Sequence, residues 1–115
     1  MKDISKLKVY ISGPMTDKDT GLVSEVNLQA FRDAEKLLRE RGYRRIVNPI
    51  RVWACLWPWL YRLVGYRLTL WYDLRLLKRC THIFMVGPGW RDSRGARLER
   101  LKAREWGIEE LKITN

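Results

Sequence analysis

Apolar positions along the chain alternate between a spacing typical of strands and one typical of helices. Short apolar runs predict three buried strands, which cover residues 7–12, 43–48 and 82–86. Apolar residues that recur every three or four positions predict three helices, which cover residues 24–41, 68–79 and 93–106. Residues 108–113 form either a short final strand or a tail. This order predicts an α/β fold in which right-handed crossovers connect parallel strands.

The first predicted helix carries the clearest signals. Ser24 is a favoured N-cap residue, and Gly42 is a favoured terminator. The apolar face, which we expect to pack on the sheet, contains Leu28, Phe31, Ala34, Leu37 and Leu38. The last helix, which follows Ser93, is expected to direct toward the sheet Ala96, Ala103 and either Leu98 or Leu101.

Two of the predicted strands run directly into loops that contain glycine. Gly13 and Pro14 end the first strand, and the sequence PGWRDSRGA at residues 88–96 follows the third. In open α/β sheets, ligands bind at the carboxyl ends of the strands. These two loops are therefore expected to line one pocket.

The start of the last helix is a candidate phosphate site. Glycines in the preceding loop allow close approach to the backbone, and the helix amides attract anions next to Ser93 and Arg94. No GxGxxG pattern and no P-loop lysine pattern occurs, which argues against a dinucleotide-binding or nucleoside triphosphate fold.

Composition indicates a single basic domain. The chain has 115 residues, with 23 Lys and Arg against 13 Asp and Glu, which gives a formal net charge of +10. This length suits one hydrophobic core. The charge favours an anionic partner, either a nucleotide or a nucleic acid, although arginines spread over helix surfaces for solubility would give the same total.

Cysteine and histidine are too few to indicate a metal or disulfide framework. The chain contains Cys55, Cys80 and a single histidine, His82. We therefore expect no metal and no cofactor, and a reducing environment such as the cytoplasm. The first residues lack the apolar stretch of a signal peptide.

Residues 52–72 hold four of the six tryptophans and three of the five tyrosines. The segment is interrupted by Pro58, Arg62, Gly65 and Arg67, so we predict no membrane span. Aromatic and arginine-rich surfaces are typical of interface cores. We expect a homo-oligomer contact or a lid over the pocket, in preference to association with a membrane surface.

Three residues carry candidate chemistry. Glu99 lies near the start of the last helix, where the dipole is expected to hold its carboxylate ionised as a nucleophile requires. Asp73 would complete the acid pair that glycosidic chemistry uses, and the Tyr10 hydroxyl would donate to the nucleophile. The alternatives are a helix-capping role for Glu99, a solvated or capping role for Asp73, and a half-buried aromatic for Tyr10.

Five motifs in order along nearly the whole chain resemble the nucleoside 2-deoxyribosyltransferase superfamily, and in particular a short branch found in phages and bacteria. They are YISGPMT at Tyr10–Thr16, N-x-x-x-F at Asn27–Phe31, Asn48-Pro49, W-x-D-L at Trp71–Leu74 and PGWRDSRGARLE at Pro88–Glu99. The resemblance makes residues 1–115 one domain, with an aromatic-rich insertion at about residues 52–68.

The resemblance implies a flavodoxin-like or Rossmann-like three-layer sandwich with a mostly parallel sheet of four to five strands. It implies that Glu99 attacks C1′ of a 2-deoxyribosyl group, that Asp73 assists departure of the base, and that Tyr10 orients Glu99. The sugar then passes to another base or to water, and Ser93 contacts the 5′-phosphate of a nucleotide. The substrate-binding residues implied are Gly13, Pro14, Asn27, Gly89, Trp90, Ser93 and Gly95.

Two positions depart from the family pattern. Cys80-Thr81 stands where relatives usually carry Cys-Asp, and Asp17 stands where many carry glycine. Two other functions therefore stay open beside an enzyme that acts on a deoxynucleoside or its 5′-monophosphate. One is a nucleotide-binding module without catalysis, and the other is a basic nucleic-acid-binding protein whose tryptophans stack on bases.

Overall fold

A computed structural model describes residues 4–14, 24–49, 70–87 and 89–113. The strands in these ranges are β1 (Lys8–Ser12), β2 (Arg45–Val47), β3 (His82–Met85) and β4 (Glu109–Glu110). The α-helices are α1 (Glu25–Glu40), α2, of which residues 70–78 are described, and α3 (Arg94–Glu105). Two short 3₁₀ turns cover Ile4–Lys6 and Trp90–Asp92.

The four strands form one parallel sheet in the order β2-β1-β3-β4. From β1 the chain continues to β2 on one side, and it later returns to build β3 and β4 on the other side. Tyr10, near the middle of β1, is paired with Val47 and with Ile83. The predicted parallel α/β sheet is confirmed, and its strand order reverses between β1 and β3, which is the point where open α/β sheets typically bind ligands.

The sheet separates two layers of helices, which confirms a three-layer sandwich. Val9 and Ile11 of β1 pack in a cluster with Phe31 and Leu38 of α1. Tyr10, which points to the opposite face, packs in a second cluster with residues of α2 and α3 such as Leu77 and Ala103. The strand period of two thus determines which residues of β1 face the two later helices.

The ends of α1 and α3 follow the predicted chemistry. Ser24 caps α1 by accepting from the Asn27 amide at 3.4 Å, and Ser93 caps α3 by accepting from the Ala96 amide at 3.2 Å. Gly42 and Gly107 follow the helices with φ of +100° and +73°, where glycine is the favoured residue.

The structure resolves two alternatives that the sequence left open, one between Leu98 and Leu101 on α3 and one between a strand and a tail at residues 108–113. Leu101 is 51% exposed and Leu98 is partly buried, so Leu98 is the more buried of the two leucines. The predicted strand or tail at residues 108–113 contains the short strand β4, which pairs with β3 through His82 and Ile83.

Most of the aromatic segment at residues 52–72, and also Asp17, lie outside the described residues. At the described end of that segment, Trp71 and Tyr72 are 53% and 38% exposed. The predicted homo-oligomer stays a prediction that light scattering would test. None of the helices in the described ranges is long and apolar enough to cross a bilayer.

Candidate active site

The centre of the candidate site is a hydrogen bond between β1 and α3. The Ser12 hydroxyl donates to Oε1 of Glu99 over 3.0 Å, and both residues are buried. Ser12 is the last residue of β1 and lies two positions after Tyr10, so the two side chains leave the same face of the sheet. The bond therefore lies at the carboxyl end of the central strand, where the sheet reverses its strand order.

The loops after β1 and β3 meet at this end of the sheet. A Cβ added to Gly13 would lie 2.6 Å from the carbonyl oxygen of Val86, which is too close for any side chain at this position. A Cβ on Gly87, whose φ is +84°, would lie 3.6 Å from Cδ of Pro14. The two loops that the sequence predicted to line one pocket are thus in contact.

Helix α3 directs Glu99 inward because of the residues on the same face. Ala96, Glu99 and Ala103 are all buried, and their spacing of three and four residues places them on one side of the helix. The small alanines let the helix approach the sheet closely. Glu99 lies more than one turn after Arg94 and bonds to Ser12, while Ser93 supplies the N-cap, so Glu99 has no capping role.

Burial changes the acidity of Glu99. Loss of solvent, followed by the negative charge of Asp73, raises the pKa of Glu99 to about 8, although hydrogen bonding from Tyr10 and Ser12 opposes this rise. The expectation that the helix dipole holds Glu99 ionised is therefore wrong. The dipole acts mainly on the first turn, and desolvation is the larger effect at this buried position.

Asp73 of α2 is 5% exposed and belongs to the same site. Its charge acts on both Glu99 and Tyr10, which places the three groups within electrostatic reach of one another. Asp73 is therefore not a solvated surface residue. Two carboxyl groups this close in a poorly solvated place do not both ionise readily, so the pair retains a proton near neutral pH.

Tyr10 is completely buried beside this pair. Its own pKa is raised well above the ordinary value by burial, then by the charges of Glu99 and Asp73. In the part of the chain that the structure describes, neither the Tyr10 hydroxyl nor Oε2 of Glu99 has a partner that completes a well-aligned hydrogen bond. The two groups nevertheless influence each other's acidity, so they lie close together without full alignment. Such unsatisfied buried groups are unfavourable unless a ligand or water uses them.

The remaining predicted residues form three groups, and the third, Asn27, belongs to the helix on the opposite face of the sheet from Tyr10. Gly13 and Pro14 are at its sheet edge, as described above. Ser93 and Gly95 are at the start of α3, and Gly89 precedes the adjacent turn with nothing within 4 Å of an added Cβ. Asn27 is in the first turn of α1.

Trp90 points toward a different surface. Its ring lies against Arg91 and Arg100, and it lines two hollows on the side of α3 that contain none of the four buried site residues. The structure therefore brings Tyr10, Asp73 and Glu99 together, but it does not place Trp90 with them.

Sequence reasoning missed Ser12. A serine at the end of an apolar strand is an ordinary residue in isolation. The available signal was the alternation of the strand, because Ser12 must share a face with Tyr10 if Tyr10 faces the site.

Within the described ranges, no group of three or more His, Cys, Asp or Glu side chains could hold a metal ion. The chemistry available at the site is that of two carboxyl groups, a phenol and a hydroxyl. This set can transfer protons and can provide a carboxylate nucleophile.

The fold and the site together define a parallel α/β domain with a buried acid pair where the strand order reverses. Residues 7–112 match the model of the domain of unknown function DUF4406, and the chain belongs to this family. No curated protein and no solved structure matches the chain.

Proposed function

We propose that this protein cleaves or transfers the N-glycosidic bond of a 2-deoxynucleoside 5′-monophosphate, or of the nucleoside, through a covalent sugar intermediate on Glu99. The observation that carries the proposal is the burial of Glu99, Asp73 and Tyr10 together at the carboxyl end of β1. Paired carboxyl groups of this kind, with one proton between them, suit glycosidic chemistry. The resemblance to nucleoside 2-deoxyribosyltransferases supports the same reaction.

In the first step, a carboxylate oxygen of Glu99 forms a bond to C1′ of the sugar. The bond between C1′ and the base nitrogen breaks, and its electron pair leaves with the base. Asp73 supplies the proton that the departing base requires. The raised pKa of Glu99 keeps the proton of the acid pair on Glu99 in the free protein at neutral pH, so this proton must pass to Asp73 before the attack occurs.

In the second step, water or a second base attacks C1′ and the bond to Glu99 breaks. Asp73 accepts the proton of the incoming group, which restores the original acid pair. Hydrolysis releases the 2-deoxyribose 5-phosphate, and transfer releases a new nucleotide.

Ser12 and Tyr10 have separate roles in this proposal. Ser12 holds Oε1 of Glu99 at 3.0 Å, which leaves Oε2 as the attacking oxygen. Tyr10, which is fully buried and electrostatically coupled to Glu99, is assigned the role of donating to the carboxylate once it ionises, which orients it for attack. Because Oε2 is buried, the sugar reaches it only after a local movement of the protein.

A 5′-phosphate would bind at the start of α3. The Ser93 hydroxyl accepts from the Ala96 amide, so its hydrogen is left to donate to a phosphate oxygen. The N-terminus of a helix also favours negative charge. A nucleotide is therefore a better substrate than the corresponding nucleoside in this proposal.

Released base is the measurement that tests the proposal. Each of the four 2-deoxynucleosides and their 5′-monophosphates is incubated with the protein, with and without a second base, and the products are separated by chromatography. We expect release or exchange of base by the wild-type protein and loss of both with Glu99→Gln. Glu35→Gln is the matched control, because Glu35 is also a buried carboxyl residue but packs in α1.

Mass spectrometry of the protein provides an independent test. Asp73→Asn lacks the group that accepts a proton in the second step, so it is mixed with a 7-methylguanine deoxynucleotide, whose charged base leaves without protonation in the first step, and quenched in acid. The variant is expected to carry one deoxyribosyl phosphate on the peptide that contains Glu99. If no substrate yields free base and no adduct forms, while nucleotides still bind, the protein is a nucleotide-binding module and the catalytic proposal is wrong.

A further inference from the structure

The side of α3 that faces away from the acid pair carries a second candidate site. A hollow of about 410 Å³ lies there, lined by Trp90, Arg91, Arg97, Arg100, Leu101 and Arg104. We call these six residues the arginine track. A neighbouring hollow of about 380 Å³ shares Trp90, Arg91 and Arg100 and extends to the end of β3 and to residues 110–113. The two hollows therefore adjoin each other at these three residues.

We propose that the arginine track binds single-stranded nucleic acid. This activity is separate from the proposed glycosidic reaction, because neither hollow is lined by Tyr10, Ser12, Asp73 or Glu99. On α3, Glu99 belongs to the buried face that packs on the sheet, whereas Arg97, Leu101 and Arg104 are exposed.

The charge of the track suits a chain of phosphates. Among the residues that the structure describes, no carboxylate lines the larger hollow, and Glu110, which lines the smaller hollow, is already bonded to Arg100 at 2.8 Å. Arg91, Arg97 and Arg104 form no salt bridge with any residue that the structure describes. Arg97 and Arg104 are seven residues apart, which is about 10 Å along a helix, so their guanidinium groups can contact different phosphates.

The aromatic and apolar members of the track suit bases. Arg91 and Arg100 place their guanidinium carbons 5.1 Å and 5.3 Å from the centre of the Trp90 ring. Bases stack on tryptophan rings and on arginine planes, and this stacking requires bases that are not paired in a duplex. Leu101, which is 51% exposed, adds an apolar contact that an acidic peptide or an inorganic polyanion would not require.

The salt bridge from Glu110 helps to fix the side chain of Arg100 against the Trp90 ring. Arg100 bonds to Glu110 and stacks on Trp90 at the same time, so its side chain is held on two sides before any ligand binds. An ordered side chain loses less entropy on binding. The track is thus partly assembled in the free protein.

Fluorescence anisotropy with labelled oligonucleotides of about 12 nucleotides tests the proposal. Oligo(dT) and oligo(rU) distinguish DNA from RNA, and a duplex of the same length tests the need for unpaired bases. We expect binding of at least one single strand, about tenfold or more weaker binding of the duplex, and steep weakening with salt.

Variants locate the binding surface. The double variant Arg97→Glu and Arg104→Glu is expected to weaken binding about tenfold or more and to reduce the salt slope by about one to two. The matched control reverses two exposed charges elsewhere, with Lys36→Glu and Arg41→Glu, and is expected to change affinity far less. Thermal unfolding checks that both double variants fold.

Trp90→Ala separates stacking from charge. It is expected to weaken binding of the oligonucleotides but to leave binding of poly-glutamate or polyphosphate unchanged. The proposal is overturned if the wild-type protein binds no single strand, if poly-glutamate binds as tightly as the oligonucleotides, or if the two double variants weaken binding equally.

Discussion

Ser12 at the end of β1 donates its hydroxyl hydrogen to Oε1 of Glu99 on α3, and this 3.0 Å bond joins residues 87 positions apart in the sequence. The bond fixes one oxygen of a carboxyl group whose pKa is raised to about 8. It also lies beside Tyr10 and Asp73, so the central strand and both helices on that face contribute to one group of side chains. The position of Glu99 therefore depends on how α3 packs against the sheet.

Ser12→Ala should raise the pKa of Glu99 further. The hydroxyl stabilises the ionised carboxylate, so its removal favours the protonated form. If Glu99 is the nucleophile, kcat/KM should fall about tenfold or more at neutral pH, and the loss should be smaller at higher pH. Titration of Glu99 by carbon NMR measures the pKa directly.

Ser24→Ala is the matched control for that experiment. It removes the hydroxyl that caps α1 and should lower stability by about 1 kcal/mol. Since Ser24 lies on the other helical layer, the titration of Glu99 should not change. Equal titration of Glu99 in the wild type and in Ser12→Ala would show that the Ser12 bond is absent in solution.

The stability of the protein should depend on pH through Glu99. The folded state raises the pKa of Glu99 from an ordinary value of 4.5 to about 8, so it binds more protons than the unfolded state between these values. Stability contributed by this group is full below about pH 4.5 and falls as pH rises toward 8, with a slope of at most about 1.4 kcal/mol per pH unit.

Glu99→Gln removes this dependence, because the amide does not titrate. Urea unfolding at a series of pH values should show that the difference in unfolding free energy between Glu99→Gln and wild type increases from pH 5 to pH 8. Subtraction of the two curves removes the contributions of other carboxyl groups, such as the salt-bridged Glu110. A difference that is constant over this range would mean that Glu99 ionises as it does in water.

The local elements could be predicted because their signals lie within a few residues. Ser24 and Gly42 determine where α1 begins and ends, and Ser93 determines where α3 begins. The apolar run that ends at Gly13 predicted β1 as a central strand. In the structure, the backbone at Gly13 packs directly against Val86.

Properties that depend on packing between distant segments could not be predicted. The choice between a strand and a tail at residues 108–113 could not be made, because Glu109 and Glu110 have no apolar pattern and form strand β4 by pairing with β3. The raised pKa of Glu99 follows from burial against β1 and from Asp73 on another helix, whereas its place in the sequence pointed to an ionised group. Trp90 lies against Arg100, ten residues later on α3, and no local pattern predicts this contact.

Asp73→Asn should lower the pKa of Glu99, because the charge of Asp73 is the second largest cause of its rise. In the proposed reaction the same variant loses the proton donor for the base and should be about a hundredfold or more slower on an ordinary deoxynucleotide. With a 7-methylguanine deoxynucleotide, whose positively charged base leaves without protonation, the variant should retain most of its rate of base release in the first turnover, before the second step requires Asp73 as a base. Equal losses on the two substrates would show that Asp73 does not act as the acid.

Gly13→Ala should destabilise the end of the sheet. The new Cβ would lie 2.6 Å from the carbonyl oxygen and 2.9 Å from Cγ2 of Val86, and the backbone oxygen can move aside only if β1 and the chain after β3 separate. We expect a loss of about 1 to 3 kcal/mol in the free energy of unfolding, measured by urea denaturation. Gly89→Ala is the control, since nothing lies within 4 Å of its added Cβ and its φ is −98°. If both variants unfold at the same urea concentration, the close approach of the two loops does not exist in solution, and the crevice proposed for the substrate loses its edge.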